Sequence, residues 1–408
     1  MADKLIYLDN NATTAIAPEV LESMMPFLRE QYFNPSSTYP QAKEAAAAIE
    51  ASRESVARLL GAGSKSEIIF NGCATEGNNS AILGALRANP DRRHIITTVV
   101  EHPAVLEVVR ELERQGYRAT YLPVDRHGRL DAADLVRAIG DDTAVVSIMH
   151  ANNETGVIFP VGSLATLTKK VDSQVVFHTD ATQTAGKMSI NLQDDLRDVD
   201  LLTLSGHKIH APKGVGAMFV RRGARWRPWM LGGHQERGRR AGTENVASVV
   251  GLGTAARLLM AHDDPTRALR MRDRLEASIK AKVPNLFING EGAPRLPNTT
   301  NIAFEFVEGE SILLALNDYG ICVSSGSACT SGSLDPSHVL KAMDVPFTAA
   351  HGSLRISTSM YTTDEEIDKV IEVVPEVISR LRQISPYWDT ATNGPRRDIN
   401  VFIQEKYR

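Results

Sequence analysis

QVVFHTDATQTAGKMSINLQDDLRDVDLLTLSGHKIHAPKG, residues 174–214, contains two strand-like runs, QVVFHTD (174–180) and DLLTLS (200–205). Each opens directly into polar or glycine-rich residues. Asp180 closes the first run and Lys208 follows the second. An acid ending an otherwise apolar strand is costly to bury unless it is paired. The two charged residues stand about one strand–connection–strand unit apart, the spacing that brings neighbouring strand ends to one edge of a sheet.

The same alternation extends upstream. EIIF (67–70), HIITTVV (94–100) and AVVSIMH (144–150) read as buried strands, and AVLEVVRELERQ (104–115) and VGSLATLTKKV (161–171) as amphipathic helices between them. This predicts βαβ units and a mostly parallel sheet covered on both faces. After ASVVGLGTAARLLM, the polar stretch AHDDPT (261–266) reads as a boundary. Beyond it a charged helix (267–283), short strands around 300–306 and 353–358, and a helix near 364–383 suggest a smaller α+β domain. The chain's 408 residues are too many for one ordinary core.

With a formal net charge of −4, the chain has no global attraction for nucleic acid or an anionic membrane. Its N-terminus lacks the apolar centre of a signal peptide, and no apolar run reaches the length of a membrane span. Its three cysteines, Cys73, Cys322 and Cys329, are too scattered for a disulfide framework or a four-ligand zinc site, so a reducing cytoplasm is the expected compartment.

In sheets of this kind ligands bind outside the carboxyl ends of the strands. The segments standing there are NGCATEGNN, EHPAV, ANNETG, DATQTAG and SGHKIHAPKG. Lys208 is either a surface lysine or an amine desolvated enough to attack a carbonyl. Asp180 favours the second reading. Pyridoxal phosphate requires such a pair, a lysine to bind it covalently and an acid to keep its ring nitrogen protonated. Its phosphate requires a helix start with small residues, which Gly72, Ala74 and Thr75 supply, with Ser205 and His207 as further donors. His102 is either a ring stacked on the cofactor and moving protons, or a helix cap before Pro103. Gln183 and Asn153 are amides on the same edge, and Arg355 is a carboxylate clamp or an ordinary edge arginine. Arg237, Arg239 and Arg240, in GGHQERGRRAGTEN (232–245), form either a solvated turn or a loop reaching an anion across a subunit interface. SSGSACTSGS (324–333) places Cys329 among ten small residues, as a flexible linker or as a mobile nucleophile. Cys322, in YGICVSS, reads as core, and Cys73 as lining the phosphate turn without chemistry.

In this order and spacing, SGHKIHAPKG, DATQTAG, CATEGNN, VVEHPAV, ANNETG, GGHQERGRRAGTEN and SSGSACTSGS resemble the cysteine desulfurases. These are class V pyridoxal-phosphate enzymes of the aspartate-aminotransferase (type I) fold. The resemblance covers roughly residues 4 to 387, and LDNNATT, HAPKG and HQERGRRAGTEN are similar to the nitrogen-fixation (NifS) branch. It implies an N-terminal segment (1–15) packed with the small domain, a large cofactor-binding domain (16–260) and a small domain (261–408) carrying a mobile cysteine loop. By position it makes Lys208 the cofactor's lysine, Asp180 the partner of its ring nitrogen, Gln183 the donor to its phenolic oxygen and His102 the stacked ring. Ala74, Thr75, Ser205 and His207 would hold the phosphate, with Thr243 from the other subunit of a homodimer. Asn153 and Arg355 would bind the substrate, and Asn153 would also touch the cofactor. Cys329 would take sulfur from L-cysteine as a persulfide, leaving L-alanine, and pass it to an iron–sulfur scaffold or other acceptor protein. A transient iron–sulfur cluster on Cys329 would be a product state. Thr182 departs from the family pattern but leaves Asp180 and Gln183 in place. The rival readings are another pyridoxal-phosphate lyase or aminotransferase, such as selenocysteine lyase, and a non-enzymatic sulfur carrier.

Overall fold

The structure, a computed structural model, describes residues 5–262, 264–325 and 336–396. In chain order the first part comprises β1 (Ile6–Tyr7), α1 (Pro18–Arg29), α2 (Pro40–Leu59), β2 (Ile68–Asn71), α3 (Ala74–Ala88), β3 (His94–Thr98), α4 (Pro103–Arg114) and β4 (Arg118–Leu122). It continues through α5 (Ala132–Ala138), β5 (Thr143–Ser147), α6 (Val161–Val171), β6 (Val176–Asp180), β7 (Leu201–Ser205), β8 (Gly216–Val220), the short α7 (Gln235–Gly238) and α8 (Val246–His262). Strands β2 to β8 form one seven-stranded sheet in the order β2-β8-β7-β6-β5-β3-β4. Its pairings from β7 to β4 are parallel, while β8 runs antiparallel to both β7 and β2. The expected mostly parallel sheet is therefore present, with β8 as its one reversed strand.

Helices cover both faces. Val105, Leu106, Val109 and Leu112 recur at helical spacing on α4 and are buried. With Ala81, Ile82 and Ala85 of α3 they cover Ile95, Val145, Val176 and Leu201 of the sheet. On the opposite face Val20, Val56, Leu164, Leu252 and Ala255, from α1, α2, α6 and α8, cover Ile96, Val146, Phe177 and Leu202. Helix α8 is buried on several sides because it lies against both α1 and α2. The approach is close. A Cβ at Gly253 would stand 2.5 Å from Ser52 Cβ.

The second part comprises α9 (Pro265–Lys282), β9 (Leu286–Ile288), β10 (Thr299–Phe304), α10 (Gly309–Asn317), β11 (Ile321–Cys322), α11 (His338–Ala342), α12 (Phe347–Ala350), β12 (Ser353–Ser357) and α13 (Asp364–Ile384). An antiparallel sheet, β12-β10-β9, packs on α9, α10 and α13 around Leu275, Ile302, Phe304, Ile312, Leu354 and Val374. The N-terminus joins this part, because β1 pairs in parallel with β11 and Asp9 bridges to Ser357. Cys322, expected in the core, is instead half-buried, at the end of the two-residue strand that pairs with β1.

Candidate active site

The polar segments at the strand ends converge. Lys208 sits in a 3₁₀ turn, Gly206–Lys208, that begins as β7 ends. Its ammonium donates to the carbonyls of Asn11 and Ala12 at 2.7 and 2.6 Å. On the adjacent strand Asp180 is buried and has Thr203 of β7 as its register partner. Its carboxylate accepts the Asn78 amide at 2.7 Å on Oδ2 and the Thr182 N–H at 2.9 Å on Oδ1. Gln183 donates to the Asn11 carbonyl at 3.0 Å and accepts Lys187 at 2.7 Å. The LDNNATT segment is thus a wall of the site, contributed by the residues that follow β1.

His102 closes another side. It caps α4, with Nδ1 accepting the Ala104 N–H at 3.1 Å, and Pro103 opens the helix. Burial lowers its pKa. The Asp180 carboxylate opposes that shift, and the charges of Lys208 and His338 reinforce it. The ring is therefore neutral with its proton on Nε2, in the electrostatic reach of both central residues. His207 is held down to about 4 by burial first and then by Lys208, Lys213 and Lys187, and its Nδ1 lies 3.2 Å from Thr13 Oγ1.

Asn153 and Arg355 meet directly, Arg355 Nη1 donating to the Asn153 carbonyl at 3.2 Å. The guanidinium also pairs with Asp9 at 2.7 Å, and its Nε is buried with no partner. Ala74 and Thr75 form the first turn of α3, Ala74 buried and Thr75 exposed. Cys73, half-buried, is the residue before that turn. Thr243 is exposed and shares a cleft with Asn71, Gly72 and Gly214. The arginine-rich loop is fastened within its own chain. Arg240 pairs with Glu76, Arg239 donates to the Ser66 carbonyl and Arg237 to the Ile68 carbonyl. Cys329 lies outside the described residues.

These residues suit a phosphorylated pyridine ring. The Ser205 hydroxyl and Asn71 Oδ1 are buried without a partner at the end of β7 and just before α3. Between them lies Gly216, the register partner of Ser205. An added Cβ there would stand 2.6 Å from Asn71 Oδ1 and 3.0 Å from the Cys73 carbonyl carbon, so only glycine keeps this cradle open. A hydroxyl donor beside a helix start, with a lysine amine one turn away and an acceptor carboxylate on the next strand, is the set of groups that a phosphate, an aldehyde and a protonated ring nitrogen require.

The sequence did not single out Asn11, Lys187, Asn78 or Thr203. Asn11 lies in the LDNNATT motif, but its role is not legible there because its partners lie far along the chain. His178 and Thr203 did carry a signal, being polar residues inside otherwise apolar strands.

The aminotransferase class-V family model matches residues 6–370, and the chain belongs to that family. It is 55% identical over 385 residues to a cysteine desulfurase of Trichormus azollae, covering 94% of this chain and 95% of that protein. It is 54% identical over 401 residues to the cysteine desulfurase NifS of Azotobacter vinelandii, covering 98% of each. Among solved structures, a NifS-like protein superposes with a TM-score of 0.86 at 38% identity, covering 93% of this chain and all of that one. The fold is that of the type I class implied by the sequence resemblance.

Proposed function

We propose that this chain is a cysteine desulfurase of the NifS type, converting L-cysteine to L-alanine and transferring the sulfur to Cys329. Pyridoxal phosphate would be bound at Lys208, with Asp180 at its ring nitrogen, Gln183 at its phenolic oxygen and His102 over its face. Ala74, Thr75, Ser205 and His207 would hold the phosphate, joined by Thr243 from a second copy of the chain in a homodimer. When bound, the cofactor withdraws electrons from the substrate's α-carbon and so weakens the carbon–sulfur bond one atom further on.

The chain's own groups do the rest. Arg355, fixed by Asp9 and the Asn153 carbonyl, offers its unpartnered Nε to the substrate carboxylate. The Lys208 amine takes the proton from the substrate's α-carbon and returns it when alanine forms. The Cys329 thiolate attacks the substrate sulfur, so one C–S bond breaks and one S–S bond forms. The Cβ left behind takes up a proton, and the products are alanine and a persulfide. The acceptor would be an iron–sulfur scaffold or another sulfur-accepting protein in the cytoplasm, and the relatives' NifS name favours nitrogenase cluster assembly. No described helix is long and apolar enough to cross a membrane.

The observation that carries this reading is the pairing of Lys208 and Asp180 at neighbouring strand ends beside the partnerless Ser205 hydroxyl. Mass spectrometry of the purified enzyme after addition of L-cysteine should show one added sulfur on Cys329. Cys329→Ala should retain a visible chromophore that borohydride bleaches but release no sulfide. Sulfide release by that variant, or a colourless wild-type protein, would overturn the proposal.

A further inference from the structure

Behind Asp180, on the face of the sheet covered by α3, lies a row of buried polar residues. Val145, Val176 and Leu201 form an apolar layer across β5, β6 and β7. Two residues further along the same strands, on the same face, stand Ser147, His178 and Thr203. All three are at most 1% exposed, as is Asn78 on α3. Gly77 lets that helix approach, since a Cβ there would stand 2.9 Å from Thr203 Cγ2.

The hydrogen bonds of this row have only one consistent direction. Asp180 is acceptor-only when ionised, so Asn78 must turn its amide nitrogen to Oδ2, at 2.7 Å. Asn78 Oδ1 is then left to accept, and Thr203 Oγ1 donates to it at 2.5 Å. That uses the single Thr203 hydroxyl proton, so the contact from His178 Nε2 to Thr203 Oγ1, 3.4 Å, requires the proton on Nε2. His178 is kept neutral by burial, which lowers its pKa to about 4 against the opposing charge of Asp180. Nδ1 is therefore bare and accepts the Ser147 hydroxyl at 2.9 Å.

We propose that Ser147, His178, Thr203 and Asn78 are positioning residues, a one-way chain of four donors that fixes Asp180 toward the cofactor's ring nitrogen. This rests on the reading of Asp180 given above. Because each donor polarises the next, the chain acts as a unit. A single break is felt at the carboxylate although no member touches cofactor or substrate.

Two measurements test this. In the purified enzyme labelled with ¹⁵N-histidine, the signal lost in His178→Gln identifies residue 178. It should report a protonated Nε2 and a bare Nδ1, unchanged between about pH 5.5 and 8.5. The opposite tautomer, or titration within that window, would overturn the assigned order. Second, Thr203→Val should release pyridoxal phosphate on dilution roughly tenfold faster than wild type, and Thr203→Ser should restore the rate to within about twofold. A valine variant that holds the cofactor as long as wild type would refute the positioning role. A colourless protein with the expected His178 signal would refute the cofactor reading of Asp180 while leaving the hydrogen-bond order standing, so the two failures are separable.

Discussion

His102 illustrates how one residue reconciles two readings that the sequence leaves as alternatives. It is a helix cap, since Nδ1 accepts the Ala104 N–H, and it faces the site, since its protonation responds to Asp180 and Lys208. The cap consumes one nitrogen and thereby sets the tautomer, which leaves Nε2–H as the only ring donor. The two roles separate by substitution. Asparagine is among the best helix caps and alanine among the poorest, a difference of about 1 kcal/mol. Chemical denaturation should therefore find His102→Asn close to wild type and His102→Ala less stable by about that amount. If the ring acts on the cofactor, sulfide release should fall about a hundredfold or more in both variants. Recovery of activity in the asparagine variant would reduce His102 to its capping role.

At the scale of elements, the segment 232–245 holds a contact that its sequence does not announce. Most of it is exposed, as a solvated or intersubunit loop would be, but Glu236 within it is buried. Glu236 and Arg237 adopt left-handed backbone at φ of +49° and +61°. Buried Glu236 receives both ends of the Arg53 guanidinium, at 2.6 and 2.9 Å, and the Phe70 N–H at 3.1 Å. This clasp ties α7 to α2 and β2 and carries the loop that bears Thr243. Removing one partner of a buried pair leaves an uncompensated charge, at a cost of about 3–5 kcal/mol. Glu236→Gln should lower unfolding free energy by about that amount, measured in urea. A change below about 1 kcal/mol would mean that Arg53 is satisfied by the Ile68 carbonyl and Glu50 alone. Such clasps are not legible in the sequence, because Arg53 and Glu236 are 183 positions apart. The five strands with largely apolar runs were legible, as were the turns after them, since burial on both faces leaves a local signature. Strand β4 was not. Arg118 is exposed and Ala119, Thr120 and Tyr121 are half-buried at the sheet edge, so the run carries no apolar pattern. Strand β8 is the one reversed strand of the sheet, antiparallel to both its neighbours, which periodicity cannot disclose.

Across the whole molecule, the buried ionisable groups pull stability in opposite directions with pH. His94, His150 and His178 are each held down to about 4 chiefly by burial. Their folded pKa lies below the unfolded value of about 6.5, so the stability they carry is in place above that pH. It is lost as the pH falls toward 4, where unfolding takes up protons. Glu101 and Glu154 behave oppositely. Burial raises them to about 8 and about 7. Folded, they keep a proton that the unfolded chain releases, so their contribution is intact below the unfolded carboxyl pKa and declines as the pH rises through 7 and 8. Together these five groups place the stability maximum at about pH 6. Glu101 gives the sharper test. Its Oε1 accepts the Thr98 hydroxyl and the Met149 N–H, while Oε2 is buried without a partner. Glutamine reproduces the shape of the protonated acid and cannot ionise. Relative to wild type, Glu101→Gln should gain stability from pH 6 to 8 by up to about 1.4 kcal/mol per pH unit. Paired urea titrations at pH 6, 7 and 8 measure that difference. A gap that stays constant across the range would mean that Glu101 is already ionised in the folded protein, and the alkaline half of the dome would then have to arise elsewhere.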